Sequence, residues 1–143
     1  MLPGDLSVHL LRTSVRGLSA LESHLADLLA EELSVRTGAR ASTAERRSWS
    51  RSLPRLRADL VDAGLLDVEM ILEYQLPLTS KRADVVLAGR HPRSGKPSYV
   101  VVELKQWSDA ESFDDSDTLV RVGAYGRRAC SIPDFRFLAT APT

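Results

Sequence analysis

Between residues 18 and 33 the leucines of LSALESHLADLLAEEL recur at the spacing of one helix face: Leu18, Leu21, Leu25, Leu28 and Leu29. That periodicity predicts a helix over 18–33. Ser19 followed by Glu22 has the pattern of a capping box at its start, and RTGARAS breaks it. A second helical stretch covers STAERRSWSRSLPRLRADLVDAGLL, residues 42–66. Ser42 and Glu45 repeat the capping-box spacing. Pro54 fits the first turn of a helix and not an interior, so two helices joined near Pro54 are predicted. Leu53, Leu56 and Leu60 then form an apolar stripe, and Gly64 is positioned to end it.

Beyond Gly64 the period changes from helical to alternating. VEMILEYQLPL (68–78), ADVVLAG (83–89) and SYVVVELKQW (98–107) are short apolar or alternating runs. TSKR separates the first two, and the turn-rich RHPRSGKP separates the second and third, as in a β-meander. The acidic SDAESFDDSD (108–117) reads as a polar loop, and TLVRVGAYG as a strand or a turn. Helices followed by a meander define an α+β domain, with the helices on one face of a three- or four-stranded mixed sheet. Three regions follow: a helical region at 1–66, a β-meander core at 67–128 and a tail at 129–143.

Composition narrows this picture modestly. The chain has 143 residues, enough for one domain with a real core, and 43% are hydrophobic. Lysine plus arginine and aspartate plus glutamate number 19 each, so any nucleic-acid footprint must be local and not global. Cys130 is the single cysteine, which excludes an internal disulfide framework. No run of about 18 apolar residues is present. The N-terminus lacks the early positive charge and cleavage site of a signal peptide, so a soluble cytoplasmic protein is expected.

Candidate chemistry gathers in the meander. Residues two apart in a strand share a face. Val101, Glu103 and Lys105 therefore face one way, and Val100, Val102 and Leu104 face the other, towards the core. If the 83–89 and 98–107 runs pair, Asp84 lies beside Glu103, and Glu73 sits one strand further. Such a set suits Mg²⁺ or Mn²⁺: Asp84 and Glu103 as ligands, the Leu104 backbone carbonyl as a third, and water and substrate phosphate completing the shell. Lys105 would stabilise developing negative charge or orient a water, with Glu73 in support. The alternative is a structural ion pair between strands, worth about 0–1 kcal/mol when exposed. Charges between apolar strand residues argue for burial, where unpaired they would cost several kcal/mol.

At these residues the sequence resembles the PD-(D/E)XK, or restriction-endonuclease-like, nuclease superfamily. The superfamily places an acid, an Asp and Glu-x-Lys on successive strands of an αβββαβ core, matched by Glu73, Asp84, Glu103 and Lys105. More narrowly, ILEYQLPLTSKRADVVLAGR and VVVELKQWS, with SWSRSLPRL upstream, are similar to the nuclease-like N-terminal region of large Schlafen-related bacterial proteins. Those proteins continue into a P-loop ATPase/helicase domain. The resemblance spans about residues 40–125. It implies a Mg²⁺-dependent endonuclease or related hydrolase acting on DNA, or less readily RNA, within a helicase-linked or defence system. Ala83 stands where the superfamily has proline, and the chain holds no G-x-x-x-x-G-K-[ST] pattern.

One branch of the superfamily carries Gln-x-x-x-Tyr on a helix after the third strand, and nothing in 110–143 matches it. Read from the third base of the Ala129 codon, however, a G/C-rich back-translation permits V-L-H-P-G-L-Q-V-P-G-Y. The expected core is therefore incomplete at its C-terminus, with 129–143 outside the native frame. The other reading of DFRFLATAP is a fourth strand. A non-catalytic nucleic-acid-binding module, or a truncated inactive fragment of such a nuclease, is the alternative function.

Outside the meander, Arg40, Arg46, Arg47, Arg51, Arg55 and Arg57 make a basic stretch with Glu45 as its only acid. Arg46, Arg47 and Arg51, with Lys81 and Arg82, are the candidate phosphate contacts; an ordinary solvated face is the other reading. Trp49 is expected in the core and not stacked on a base. His9, His24 and His91 lack partners at zinc spacing.

Overall fold

The computed structural model describes residues 9–105, 111–113, 116–122 and 128–131. The fold is α+β, as the change of period predicted. A short strand β1 (Leu11–Ser14) leads into helices α1 (Val15–Leu21), α2 (Leu25–Thr37) and α3 (Thr43–Asp62). Strands β2 (Glu69–Gln75), β3 (Arg82–Arg90) and β4 (Pro97–Val102) follow. These four strands form one sheet in the order β1-β2-β3-β4, antiparallel throughout where a mixed sheet was predicted. Strands β5 (Glu111–Phe113), β6 (Ser116–Val122) and β7 (Arg128–Ser131) form a second antiparallel sheet. The stretch read as an acidic loop thus contributes β5 and the start of β6, and the doubtful tail begins inside β7. Residues 132–143 lie outside the described residues, as does Trp107.

The core lies between the helices and one face of the first sheet. Met70 and Leu72 alternate along β2, and Val85 lies opposite Leu72 on β3; all three are fully buried. Val15, Leu18, Leu25, Leu29 and Leu53 meet them from the helices. Val102 and Leu104 pack against this cluster, as their alternation with Val101 and Glu103 predicted.

The helix predictions needed two corrections. The run 18–33 is not one helix: α1 ends at Leu21 and α2 begins at Leu25. Ser14, not Ser19, caps α1, accepting a hydrogen bond from the Gly17 amide. Ser19 and Glu22 instead both engage Arg57 of α3, at 3.1 and 3.0 Å. Conversely, residues 43–62 form one helix with Pro54 inside it. Proline removes an intrahelical hydrogen bond and crowds the preceding turn, a cost of about 3 kcal/mol. Burial of Trp49 and Leu53 before it and Leu60 after it holds the two halves in line. The Ser42–Glu45 capping box is present in both directions, and Gly64 takes the left-handed conformation just past the helix end. Strand β1 escaped the sequence reading altogether. Its four residues are too few for a period, and it forms because Leu10 to Ser14 follow the edge of β2.

Candidate functional site

Two adjacent hairpins bring the candidate residues together. The β3–β4 register pairs Val85 with Val102, so Asp84 and Glu103 follow as neighbours at that end of the ladder. The strand does not continue to Trp107 as predicted: β4 ends at Val102, and Glu103-Leu104-Lys105 leaves the ladder. Asp84 is what replaces the ladder there. Its Oδ2 accepts a 2.6 Å hydrogen bond from the Leu104 amide, which ties the chain down after the last strand pair. Burial raises the Asp84 pKa; the Leu104 bond works against that rise, Glu103 adds to it, and Lys105 and Arg82 oppose it. The Asp84 carboxylate therefore feels Glu103, Lys105 and Arg82 together.

Glu73 lies one strand away, but not as a simple strand residue. Its φ of 53° puts it in the left-handed region, where a non-glycine residue is uncommon. The β2–β3 pairing skips it, running Leu72 to Val85 and Tyr74 to Ala83. Out of the ladder's alternation, the side chain is buried against α3, where its Oε1 accepts a 2.7 Å hydrogen bond from the Trp49 indole N–H. Its other oxygen lies 3.4 Å from the Arg82 guanidinium. Burial pushes the Glu73 carboxyl up, while Trp49 and Arg82 pull it down and Asp84 and Glu45 push it further up.

Arg82 joins this group to α3. Its Nη2 donates to Glu45 Oε1 at 2.8 Å, so the acid that caps α3 also closes the site. Glu45 is held below its ordinary pKa, first by the Ser42 backbone amide, with the Ser42 hydroxyl and Arg82 in support against its own desolvation. Glu45, Ser48 and Trp49 from α3, Glu73 from β2, Ser80 from the β2–β3 turn, and Arg82 and Asp84 from β3 line an open cleft of about 290 Å³.

The prediction that strand burial would enclose the Glu-x-Lys charges does not hold. The Glu103 and Lys105 side chains are 47% and 41% exposed and pair with each other. Among the described residues, no three or more His, Cys, Asp or Glu side chains converge as a metal cluster. The donors that do adjoin are nonetheless hard oxygens. The Asp84 Oδ1 makes no hydrogen bond among the described residues, Glu103 shares only one oxygen with Lys105, and the Leu104 backbone is held beside both. That set suits a cation bound through one or two carboxylates with water completing its shell.

The basic residues divide. Arg46 is turned to Asp27 of α2, Arg55 to Asp59, Arg57 to Glu22 and Arg82 to two acids. The side chains of Arg47, Arg51 and Lys81 are exposed and have no ion-pair partner among the described residues. Trp49 is a core residue, as expected, but its indole N–H is spent on the site. Glu45 and Trp49 were the members missed from the sequence. Their i,i+4 spacing places them on one flank of α3, but no periodicity says which strand that flank meets. Comparison with protein families, with curated proteins and with solved structures finds no match to this chain.

Proposed function

We propose that this chain is a metal-dependent nuclease domain of the PD-(D/E)XK kind, with its helices and the β2–β3–β4 meander standing for the αβββ portion of an αβββαβ core. The observation that carries the reading is the β3–β4 register together with the Leu104-to-Asp84 hydrogen bond, which collects Asp84, Glu103, the Leu104 backbone and Lys105 at one strand end. Asp84 and Glu103 would hold Mg²⁺ or Mn²⁺, with the Leu104 carbonyl as a further donor. When bound, the cation would lower the pKa of a water and offset charge on the scissile phosphate.

The protein's own residues do the remainder. The Leu104 amide fixes the Asp84 carboxylate, so one oxygen is aimed without a rotamer search. Lys105, which here pairs with Glu103, would supply the ammonium that stabilises negative charge on phosphate once Glu103 held a cation. Glu73 acts as a positioning residue: through Trp49 and Arg82 it fixes the second strand of the hairpin against α3. Arg47, Arg51 and Lys81 supply phosphate contacts, on DNA in preference to RNA.

The test is cleavage of single- and double-stranded DNA and RNA with Mg²⁺ or Mn²⁺. Wild-type activity is expected to disappear on chelation and to fall at least about 100-fold in D84A and K105A. Activity that survives both substitutions overturns the assignment.

One observation favours a second reading. Lys105 already neutralises Glu103, and no three-acid cluster is assembled among the described residues. A nucleic-acid-binding module with a relict site fits that arrangement, and a helicase or ATPase would then be its partner in function. Calorimetry separates the two: no Mn²⁺ uptake together with a persistent gel shift selects the binding module.

A further inference from the structure

Five described residues have left-handed backbone. Three are glycines in ordinary places: Gly38 after α2, Gly64 after α3 and Gly95 in the β3–β4 loop. The other two, Glu73 and Leu78, are not glycine, and both belong to the β2–β3 hairpin that builds the cleft. Glu73 is explained by its bond to Trp49. Leu78, with a φ of 61° and a side chain fully exposed at 105%, is the third residue of a β-turn with Pro77 second, closed by the Thr79 amide on the Leu76 carbonyl at 3.4 Å, a position ordinarily filled by glycine or asparagine. Leucine rarely takes this conformation, and local strain of this kind concentrates at binding and catalytic sites.

The turn around Leu78 is built, not loose. The Leu76 amide donates to the Lys81 carbonyl at 3.0 Å, closing the hairpin. The Thr79 hydroxyl accepts from the Lys81 amide at 3.1 Å, and the Gln75 side-chain amide donates to the Thr79 carbonyl. Leu78 therefore projects from a braced tip between Pro77 and Thr79. Two residues on, Ser80 lines the cleft, and Arg82 follows. Lys81 beside it is exposed and unpaired among the described residues, and on α3 Arg51 lies one turn from Ser48, which lines the same cleft. An apolar turn tip three residues before the exposed cation Lys81, on the hairpin that carries Ser80, Arg82 and Asp84 into the cleft, matches a polyanion that also has apolar, stackable surfaces.

We propose that Leu78 is a wedge that inserts between base steps of a nucleic-acid duplex and opens it locally beside the cleft, with Lys81 on the adjoining phosphate. This deepens the nuclease reading and rests on it for the nature of the ligand: the substrate class is a duplex that must be unstacked at the site. Apolar side chains inserted at a base step unstack and kink the duplex, and flanking cations offset the phosphate charge.

The experiment uses a DNA duplex carrying 2-aminopurine, whose fluorescence rises when it is unstacked, mixed with the full chain in chelator so that no cleavage occurs. Wild type is expected to raise the fluorescence, and L78S to reduce that gain at least about three-fold. With Mg²⁺ present, L78S is expected to lower the ratio of duplex to single-strand cleavage about ten-fold. L78N, which suits left-handed backbone and lacks the apolar end, should show the same loss with a melting temperature no lower than wild type, which excludes a folding defect. Wild type that binds or fails to bind without a fluorescence gain, or an L78S chain with an unchanged gain, overturns the wedge. So does a wild-type dimer that L78S disperses while duplex opening persists, since Leu78 would then be a protein contact. If opening is lost in L78S while D84A and K105A leave cleavage untouched, the wedge stands and the catalytic assignment fails.

Discussion

Glu73 is where local strain, burial and charge meet in one residue. Left-handed backbone costs a non-glycine residue about 1–2 kcal/mol, and burial disfavours its ionised form. Both are tolerated because the carboxylate accepts the buried Trp49 N–H and faces Arg82. The sign of its pH dependence follows. The folded pKa is raised above the ordinary 4.5, so the folded chain binds the proton more readily than the unfolded chain. Its contribution to stability is fully present below the unfolded value and declines as pH rises through the folded one. Glu45, on the other side of Arg82, is lowered and runs the opposite way: its contribution is present above the unfolded value and is lost as pH falls through the folded one. E73Q keeps an acceptor for Trp49 and removes the titration. Chemical denaturation between about pH 4 and 8 should therefore show a flatter decline in E73Q, with no loss of stability at the upper end. E73A leaves the indole N–H buried without an acceptor and should lose about 1–3 kcal/mol. Equal stability of E73A and E73Q would mean that the Trp49 bond contributes nothing.

Among the elements, α3 is the least expected and the most consequential. Its Pro54 removes the amide that would bond the Ser50 carbonyl, yet the helix runs from Thr43 to Asp62. P54A should restore that bond and raise stability by about 1–2 kcal/mol, less than the ~3 kcal/mol of intrinsic propensity, because proline also restricts the unfolded chain. A lower melting temperature in P54A would show instead that the proline geometry sets how Trp49 reaches Glu73. The sequence rule misplaced Pro54 because it weighs backbone propensity alone, whereas Trp49, Leu53 and Leu60 bury on one face across it. Where one face decides, the reading worked: β2 and β3 fall within about three residues of their alternating runs, β4 begins within one residue of its run, the Ser42 cap is correct, and Asp84 meets Glu103 because register follows alternation. Where a side chain leaves the pattern, periodicity had nothing to report. Glu73 turns out of its ladder, β4 stops when Asp84 takes the Leu104 amide, and α1 ends where Arg57 holds Ser19 of its last turn and Glu22 just past it.

At the scale of the whole molecule, charge decides how nucleic acid would be held. The chain is neutral, with 19 basic and 19 acidic residues, so no general field draws a polyanion to it. Half of the six arginines of the basic stretch are already committed within the fold, Arg46 to Asp27, Arg55 to Asp59 and Arg57 to Glu22. Arg47, Arg51 and Lys81 remain as exposed cations without ion-pair partners among the described residues. Each phosphate neutralised on a duplex adds about 0.9 to the slope of log affinity against log salt, so three contacts predict a slope of about −2.7. R51A and K81A should each reduce its magnitude by about 1 and weaken binding uniformly across sequences. R46A should leave the slope nearly unchanged, because its guanidinium faces Asp27, and any effect should appear as stability. A salt titration of duplex binding for these three variants is therefore a test of placement. If R46A moves the slope as far as R51A does, the division of α3 into structural and ligand-facing arginines is wrong, and the basic stretch acts as one face.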